Sequence, residues 1–332
     1  MIALNVHGLR VRVAGDWPEV IEDVRRDFVW FERSDDGGAA RADVTVVIER
    51  RPPDFDRFGE LPATFITPRN VVYQQDGITV VDYVGKAVSV LGREPTRLTV
   101  QGEDEHLVRE AAYHYLLSRF GEHLESQGLT RLHALGLVGG HGAVALMLPS
   151  GGGKSTMALR ALRDDGIRLL SEDSPLLDRR GRLHPFPLRI GINATDADRL
   201  PAGSVRRLER MEFHPKLALD LEAFGDRIEP AAQPLRHLVI GRRTLGREAR
   251  LERVRRPAAV GTLVREGVVG VGIYQGMEFI MQRGMRDVIG KLGVASTRTA
   301  CCAAGLARAR VWRATLGRDH ERNWAVLAPL LD

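Results

Sequence analysis

Residues 142–161 read GAVALMLPSGGGKSTMALRA: an apolar run, a proline, three glycines in succession, a lysine with two hydroxyl residues, then apolar side chains at helical spacing. This order predicts a buried strand that turns through a glycine-rich loop into a helix. It is the setting of the phosphate-binding pattern G-x-x-x-x-G-K-[ST], whose last three positions are met by Gly153, Lys154 and Ser155. Close approach explains the composition. Backbone N–H groups converge on an anion only where no side chain intervenes, and the following helix adds unpaired N–H groups and the positive end of its dipole. Ser150, Gly151, Gly152, Gly153, Lys154, Ser155 and Thr156 are the expected nucleotide-binding residues. The first position is the exception, with Leu148 where a glycine is usual. Leu148 falls at the end of the strand, so it should alter the approach to the loop more than the cradle, and Pro149 restricts that approach further.

The flanking segments predict a sheet around this loop. LHALGLV and GAVALML read as apolar strands joined by a GGHG turn, KSTMALRALRDDG as a helix, and IRLLSED as a further short strand that ends in Glu172 and Asp173. An acidic residue at such a strand end holds Mg²⁺ beside a bound nucleotide triphosphate, and a second carboxylate can take the proton of an attacking hydroxyl. The expected ligands are therefore a nucleoside triphosphate and Mg²⁺. Lys154 would reach the β- and γ-phosphates, and the Ser155 hydroxyl would ligate the metal. His133, in RLHALGLV, is a candidate to orient an acceptor or contact a phosphate.

Before residue 100 the chain is strand-rich. LRVRVAG, ADVTVVIER, NVVYQQDGITVVDYVGKAVSVL and TRLTVQG alternate or carry β-branched residues, Asp76-Gly77 signals a hairpin, and PEVIEDVRRDFVWF has helical spacing. ERRPPDFDRFGELPATFITPRN has too many prolines for a regular element. Residues 103–128 read as one long amphipathic helix that Gly128 stops. This gives an N-terminal α+β lobe over 1–100, a candidate for substrate recognition, and a second domain over 101–332. The adjacent Cys301 and Cys302 suit neither a loop-closing disulfide nor a four-ligand metal site, and read as buried thiols of a reducing compartment. With no signal-peptide pattern and no apolar run long enough for a membrane span, the expectation is a cytoplasmic protein without a membrane partner.

The motifs of residues 130–195 resemble the HPr kinase/phosphorylase family, and especially its shorter relatives, the HPr-kinase-like serine kinases associated with lasso-peptide biosynthesis. His133 matches the family's strand histidine, Ser150 to Ser155 its loop, and Glu172 and Asp173 its acidic pair. HPFPLRIGIN, FHPKLAL and GIYQGMEF are similar more loosely. The resemblance implies an α/β fold with an HPr kinase/PEP carboxykinase-like P-loop core, a mixed central sheet flanked by helices. It further implies ATP, Mg²⁺ and phosphoryl transfer to a serine, which in the lasso-associated relatives lies in the precursor peptide. The chain departs from the family at Leu148, in carrying Glu-Asp for the usual Asp-Asp, and in lacking the arginine-glycine signature of HPr kinases. HPr itself is therefore not the expected acceptor. Because the second acid is retained, Asp173 is assigned to the metal with Ser155, and Glu172 to the base, in a reversible assignment.

Arg189 and Lys216, among prolines and strand-like runs after the acidic pair, are candidates to neutralise phosphate charge, and His184 and His214 accompany them. GRRTLGREARLERVRR holds Arg242, Arg243, Arg247, Arg250, Arg253, Arg255 and Arg256. Its lack of aromatics argues against nucleic acid, and ARLERV reads as a strand of a solvated hairpin. The leading expectation is an ATP-dependent serine kinase acting on a peptide. The rival classes are a small-molecule kinase on the same core, a nucleotide-binding regulator without transfer activity, and a nucleic-acid-stimulated ATPase. Self-association is left open.

Overall fold

The computed structural model of the chain describes residues 1–33, 42–92, 96–192, 200, 203–209, 216–269 and 285–332, apart from the side chains of 223 and 285–292. The protein is mixed α/β, with mixed sheets and helices. Its contacts divide it into two compact units. One is built on Met1–His123 with the described parts of Asn193–Asp220 and Tyr274–Ile289, the other on Leu124–Ile192, Leu221–Ile273 and Gly290–Asp332. The sequence-level boundary near residue 100 falls inside the first.

The first unit is organised by β1 (Ile2–Val6), β2 (Leu9–Gly15), β3 (Val44–Arg50), β4 (Ala63–Ile66), β5 (Val71–Gln75), β6 (Ile78–Asp82), β7 (Ala87–Leu91) and β8 (Arg97–Gly102). They lie in the order β1-β2-β3-β8-β7-β6-β5-β4. The β2–β3 and β3–β8 pairs are parallel and the others antiparallel. In β3 every second side chain is buried, as a sheet with one covered face requires. Asp76 and Gly77 both adopt positive φ, the backbone of a tight hairpin turn, between β5 and β6. One expectation fails: the proline-rich segment is not wholly irregular, because Ala63–Ile66 forms the edge strand β4 against β5. Prolines are tolerated there because an edge strand leaves one row of backbone groups unpaired. Helices α1 (Pro18–Asp27) and α2 (Glu105–Ser126) appear where their periodicity placed them, and Gly128 adopts positive φ just past α2.

The second unit holds the glycine-rich loop. Its strands are β9 (Leu129–Arg131), β10 (Leu135–Gly139), β11 (Gly142–Met147), β12 (Arg168–Ser171), β13 (Leu176–Asp178), β14 (Arg182–His184) and β15 (Ile190–Ile192). After β16 (Val205–Leu208) and β17 (Lys216–Leu219), an antiparallel pair of the first unit, come β18 (Gln233–Arg243), β19 (Arg250–Arg253) and β20 (Arg310–Leu316). The sheet runs β12-β10-β11-β18-β14-β13-β9, with β20 alongside β18 and β19 beyond β20. β10 is antiparallel to both β11 and β12, so β11 and β12 run in the same sense; β18 and β20 are parallel to them. Four carboxyl ends therefore emerge at one edge of the sheet, where α/β proteins place their ligands.

Helix α3 (Lys154–Ala161) packs on β10. Later come α4 (Val260–Leu263), which continues into a π-helix (Val264–Val269), then α5 (Met285–Arg308) and α6 (His320–Leu327). Leu263, Cys301 and Cys302 join Ala143, Ala145, Met147 and Leu238 in the core of this unit. Both cysteines are buried, and burial pushes the Cys302 thiol up to about 12, which makes it inert. ARLERV does form a strand, but β19 pairs with β20 and not with the strand that precedes it. Among the described residues no helix is long and apolar enough to cross a membrane.

Candidate functional site

The glycine-rich loop leaves the carboxyl end of β11. Gly152 N–H donates to Pro149 O at 2.8 Å, closing a tight turn, and Gly151 and Gly153 take φ of 71° and 96°. A Cβ on Gly152 would stand 2.7 Å from the Pro149 carbonyl oxygen, so the turn admits no side chain there. Gly153 is the N-cap of α3, and Met157 N–H is bonded to its carbonyl at 3.0 Å. The N–H groups of the first helical turn precede that bond and have no acceptor within the helix.

Leu148 is accommodated by its neighbour. The β11–β18 register pairs Met147 with Ile240, which sets Leu148 against Gly241. A Cβ on Gly241 would lie 2.5 Å from Leu148 Cδ2, and Leu148 is buried. The side chain gained at the loop is matched by one absent from the adjacent strand.

Lys154 is buried, with 6% of its surface exposed, so its ammonium needs partners. It donates to Leu148 O at 3.2 Å, faces Asp173 Oδ1 at 3.1 Å and His133 Nε2 at 2.8 Å. His133 arrives beside Asp173 because the segment before β10 bonds to the segment after β12: Leu132 N–H donates to Pro175 O and Ala134 N–H to Asp173 O. His133 Nε2 lies 3.2 Å from Asp173 Oδ1. The neighbouring acid faces the other way. Glu172 Oε1 accepts the Ser155 hydroxyl at 2.6 Å. The two carboxylates thus serve different partners, and Ser155 is brought to Glu172 while Asp173 is brought to Lys154 and His133.

These charges shift one another. Crowding by protein atoms works to raise the Asp173 carboxyl, but the His133 hydrogen bond and the Lys154 ammonium hold it down at about 2. Burial works to lower the His133 imidazole, and the hydrogen bonds it donates to the Asp173 and Glu266 carboxylates raise it above its ordinary value. Asp173 keeps 42% of its side chain exposed, so it stays open to a reactant from solvent.

Two further residues join the loop. Glu266, in the π-helix, places Oε2 2.6 Å from His133 Nδ1, and its own carbonyl accepts the His133 N–H at 3.0 Å. The sequence signals it only as an acid inside the apolar run TLVREGVVG. Arg243, at the carboxyl end of β18, has its guanidinium 3.6 Å from where a Cβ of Gly153 would stand. In the sequence it is one arginine among seven.

The remaining candidates are dispersed. Ser150 is exposed in the turn, and Thr156 is half-buried in the first turn of α3. Arg189 is half-buried just before β15, which lies against α3. Lys216 opens β17 in the first unit. His184 is held by Asp178 Oδ2 at 2.9 Å, an arrangement that braces the β13–β14 turn. His214, Asn193, the Phe213–Pro215 part of FHPKLAL and all of GIYQGMEF lie outside the described residues. No protein-family model matches the chain, and a search of curated proteins returned no match.

Proposed function

We propose that the protein is an ATP- and Mg²⁺-dependent serine kinase with an HPr-kinase-like core, acting on a peptide in the cytoplasm. The observation that carries this reading is the convergence on one loop of a buried lysine, a hydroxyl–carboxylate pair and a histidine–carboxylate pair. Ser155 and Glu172 offer a hydroxyl and a carboxylate 2.6 Å apart, hard oxygen donors of the kind Mg²⁺ accepts alongside water. Of the two assignments left open by the sequence, these distances favour Glu172 with Ser155 for the metal and Asp173 for the acceptor. When bound there, Mg²⁺ would neutralise phosphate charge.

The chain's own residues account for the rest. The Gly151–Gly153 turn and the start of α3 bind the phosphates, and Lys154 turns from Asp173 towards them. The serine oxygen bonds to the γ-phosphorus as the bond to the β-γ bridging oxygen breaks. The serine proton passes to Asp173 and ADP leaves. An Asp173 carboxylate held near 2 is a weak base, but the departure of Lys154 removes one of the two cations holding it down. A loose phosphoryl-transfer transition state asks more of positioning and charge than of base strength. Arg243 stands where it can add positive charge to the transferred group.

The test is transfer from labelled ATP to lasso-type precursor peptides and, in parallel, to a metabolite panel. The wild type should label a peptide serine. Lys154→Met should reduce transfer by about 10³-fold or more if Lys154 supplies charge to the transition state. Labelling confined to metabolites would overturn the peptide assignment, and ATP binding with no transfer to any acceptor would favour a regulator.

A further inference from the structure

Glu266 has no place in the motifs that define the loop, yet it makes two bonds to a single residue. Its carbonyl fixes the main chain of His133 at 3.0 Å and its carboxylate fixes the ring at 2.6 Å. Its own position is determined in turn. Arg265 Nε donates to the other carboxylate oxygen at 2.6 Å, and only 12% of the Glu266 side chain is exposed. The segment is a π-helix, a form that inserts an extra residue per turn and recurs at functional sites. It can press this close because residue 267 is glycine: a Cβ there would lie 2.6 Å from Cys302 Sγ and 3.2 Å from Leu132 Cδ1.

The ring's hydrogen bonds follow from its neighbours. A carboxylate facing Nδ1 can only accept, so Nδ1 must carry a proton. In the neutral ring Nε2 is then the acceptor, and it takes a proton of Lys154 at 2.8 Å. In the charged ring Nε2–H turns to Asp173 Oδ1, 3.2 Å away. In both states Nδ1 keeps its proton and donates it to the Glu266 carboxylate.

We infer that Glu266 is a positioning residue for phosphoryl transfer: it pins the Nδ1 proton of His133, so that every proton exchange of the ring takes place at Nε2, the atom that faces Asp173 and Lys154. The inference rests on the kinase reading above for the reaction, and on geometry alone for the tautomer. It predicts that Glu266 governs turnover and leaves nucleotide binding to the loop.

Two measurements decide it. In alkaline solution, ¹⁵N spectra of the ligand-free wild type should show His133 protonated at Nδ1 and bare at Nε2. The Nε2–H tautomer would overturn the inference, whether or not the protein is a kinase. Second, Glu266→Ala should bind Mg-ATP with an affinity within about threefold of wild type while its kcat for ATP turnover falls about tenfold or more. Glu266→Gln, whose amide oxygen can still accept the Nδ1 proton, should recover most of that loss. An unchanged kcat in the alanine variant, or a glutamine variant no better than alanine, would refute the positioning role. A wild type that binds no ATP would sink the kinase reading and leave the tautomer result to stand by itself.

Discussion

Leu148 and Gly241 trade places in a way that neither shows alone. A sequence pattern records the leucine as a defect in the loop, because the pattern runs along the chain and the compensation lies across the sheet. With Leu148 Cδ2 2.5 Å from the position of a Gly241 Cβ, the pair has room for one side chain. Gly241→Ala should therefore destabilise the second unit by about 1–3 kcal/mol through overpacking, and Leu148→Gly by about 2–5 kcal/mol through the cavity it leaves. Combined, they should cost clearly less than their sum, since the glycine removes the clash that the alanine creates. A denaturant-unfolding cycle on the four proteins measures this, and additive costs would show that the two positions do not share the space. Most of the other site residues were legible because spacing dictates them. Lys154, Ser155, Glu172 and Asp173 are named by a strand–loop–helix–strand pattern and His133 by the family resemblance, and all five meet within 3.2 Å of a partner. What the pattern could not assign was the partners of Glu172 and Asp173, since adjacent residues past a strand end point to opposite sides.

Elements were legible where their periodicity was local. The strands of the first unit and the long helix α2 announce themselves by steps of two and of three to four. β20 does not. RVWRATL follows the helical run of α5, and its buried positions Val311, Ala314 and Leu316 break strict alternation. The sequence of β19 predicts a strand of a hairpin, but its partner is not its neighbour in the chain, since β20 is inserted between it and β18 and comes later. The π-helix was the least legible element, because its position depends on what it touches across the fold. Gly267→Ala should test that dependence. The added methyl meets Cys302 Sγ at 2.6 Å, so the segment must move away from α5, at about 1–3 kcal/mol. Since Glu266 precedes it, the same shift should lengthen the Glu266–His133 bond. The ¹⁵N signal of His133 Nδ1 should then move, while Gly267→Ala combined with Cys302→Ala, which removes the sulfur that the methyl meets, should restore it. An unmoved His133 signal in the alanine variant would show that the π-helix is held by other contacts.

At the scale of the whole molecule, the units are assembled from segments distant in sequence, and this is where a reading along the chain stops. The first unit takes residues from after β15, and these supply charges that its buried acids require. Asp27 is fully buried beneath Arg109 at 3.3 Å and is also bound by Arg206. Arg206 further meets Asp220 at 2.9 Å and Asp23 at 3.3 Å, and Asp220 is bound again by Arg26. Removing one member of such a network leaves buried charge uncompensated. Arg206→Ala should therefore cost the first unit about 3–5 kcal/mol, although it lies far along the chain from the strands it stabilises. The tryptophans allow the effect to be located. Trp17 and Trp30 belong to the first unit, Trp312 and Trp324 to the second. In proteins that keep only one of these pairs, with phenylalanine at the other two positions, the unfolding midpoint reported by Trp17 and Trp30 should fall markedly on Arg206→Ala. The midpoint reported by Trp312 and Trp324 should follow only if the two units unfold as one. Either way, an unshifted Trp17 and Trp30 transition would mean that the arginine network contributes nothing to the fold, and that β16 and β17 are attached to the first unit without holding it together.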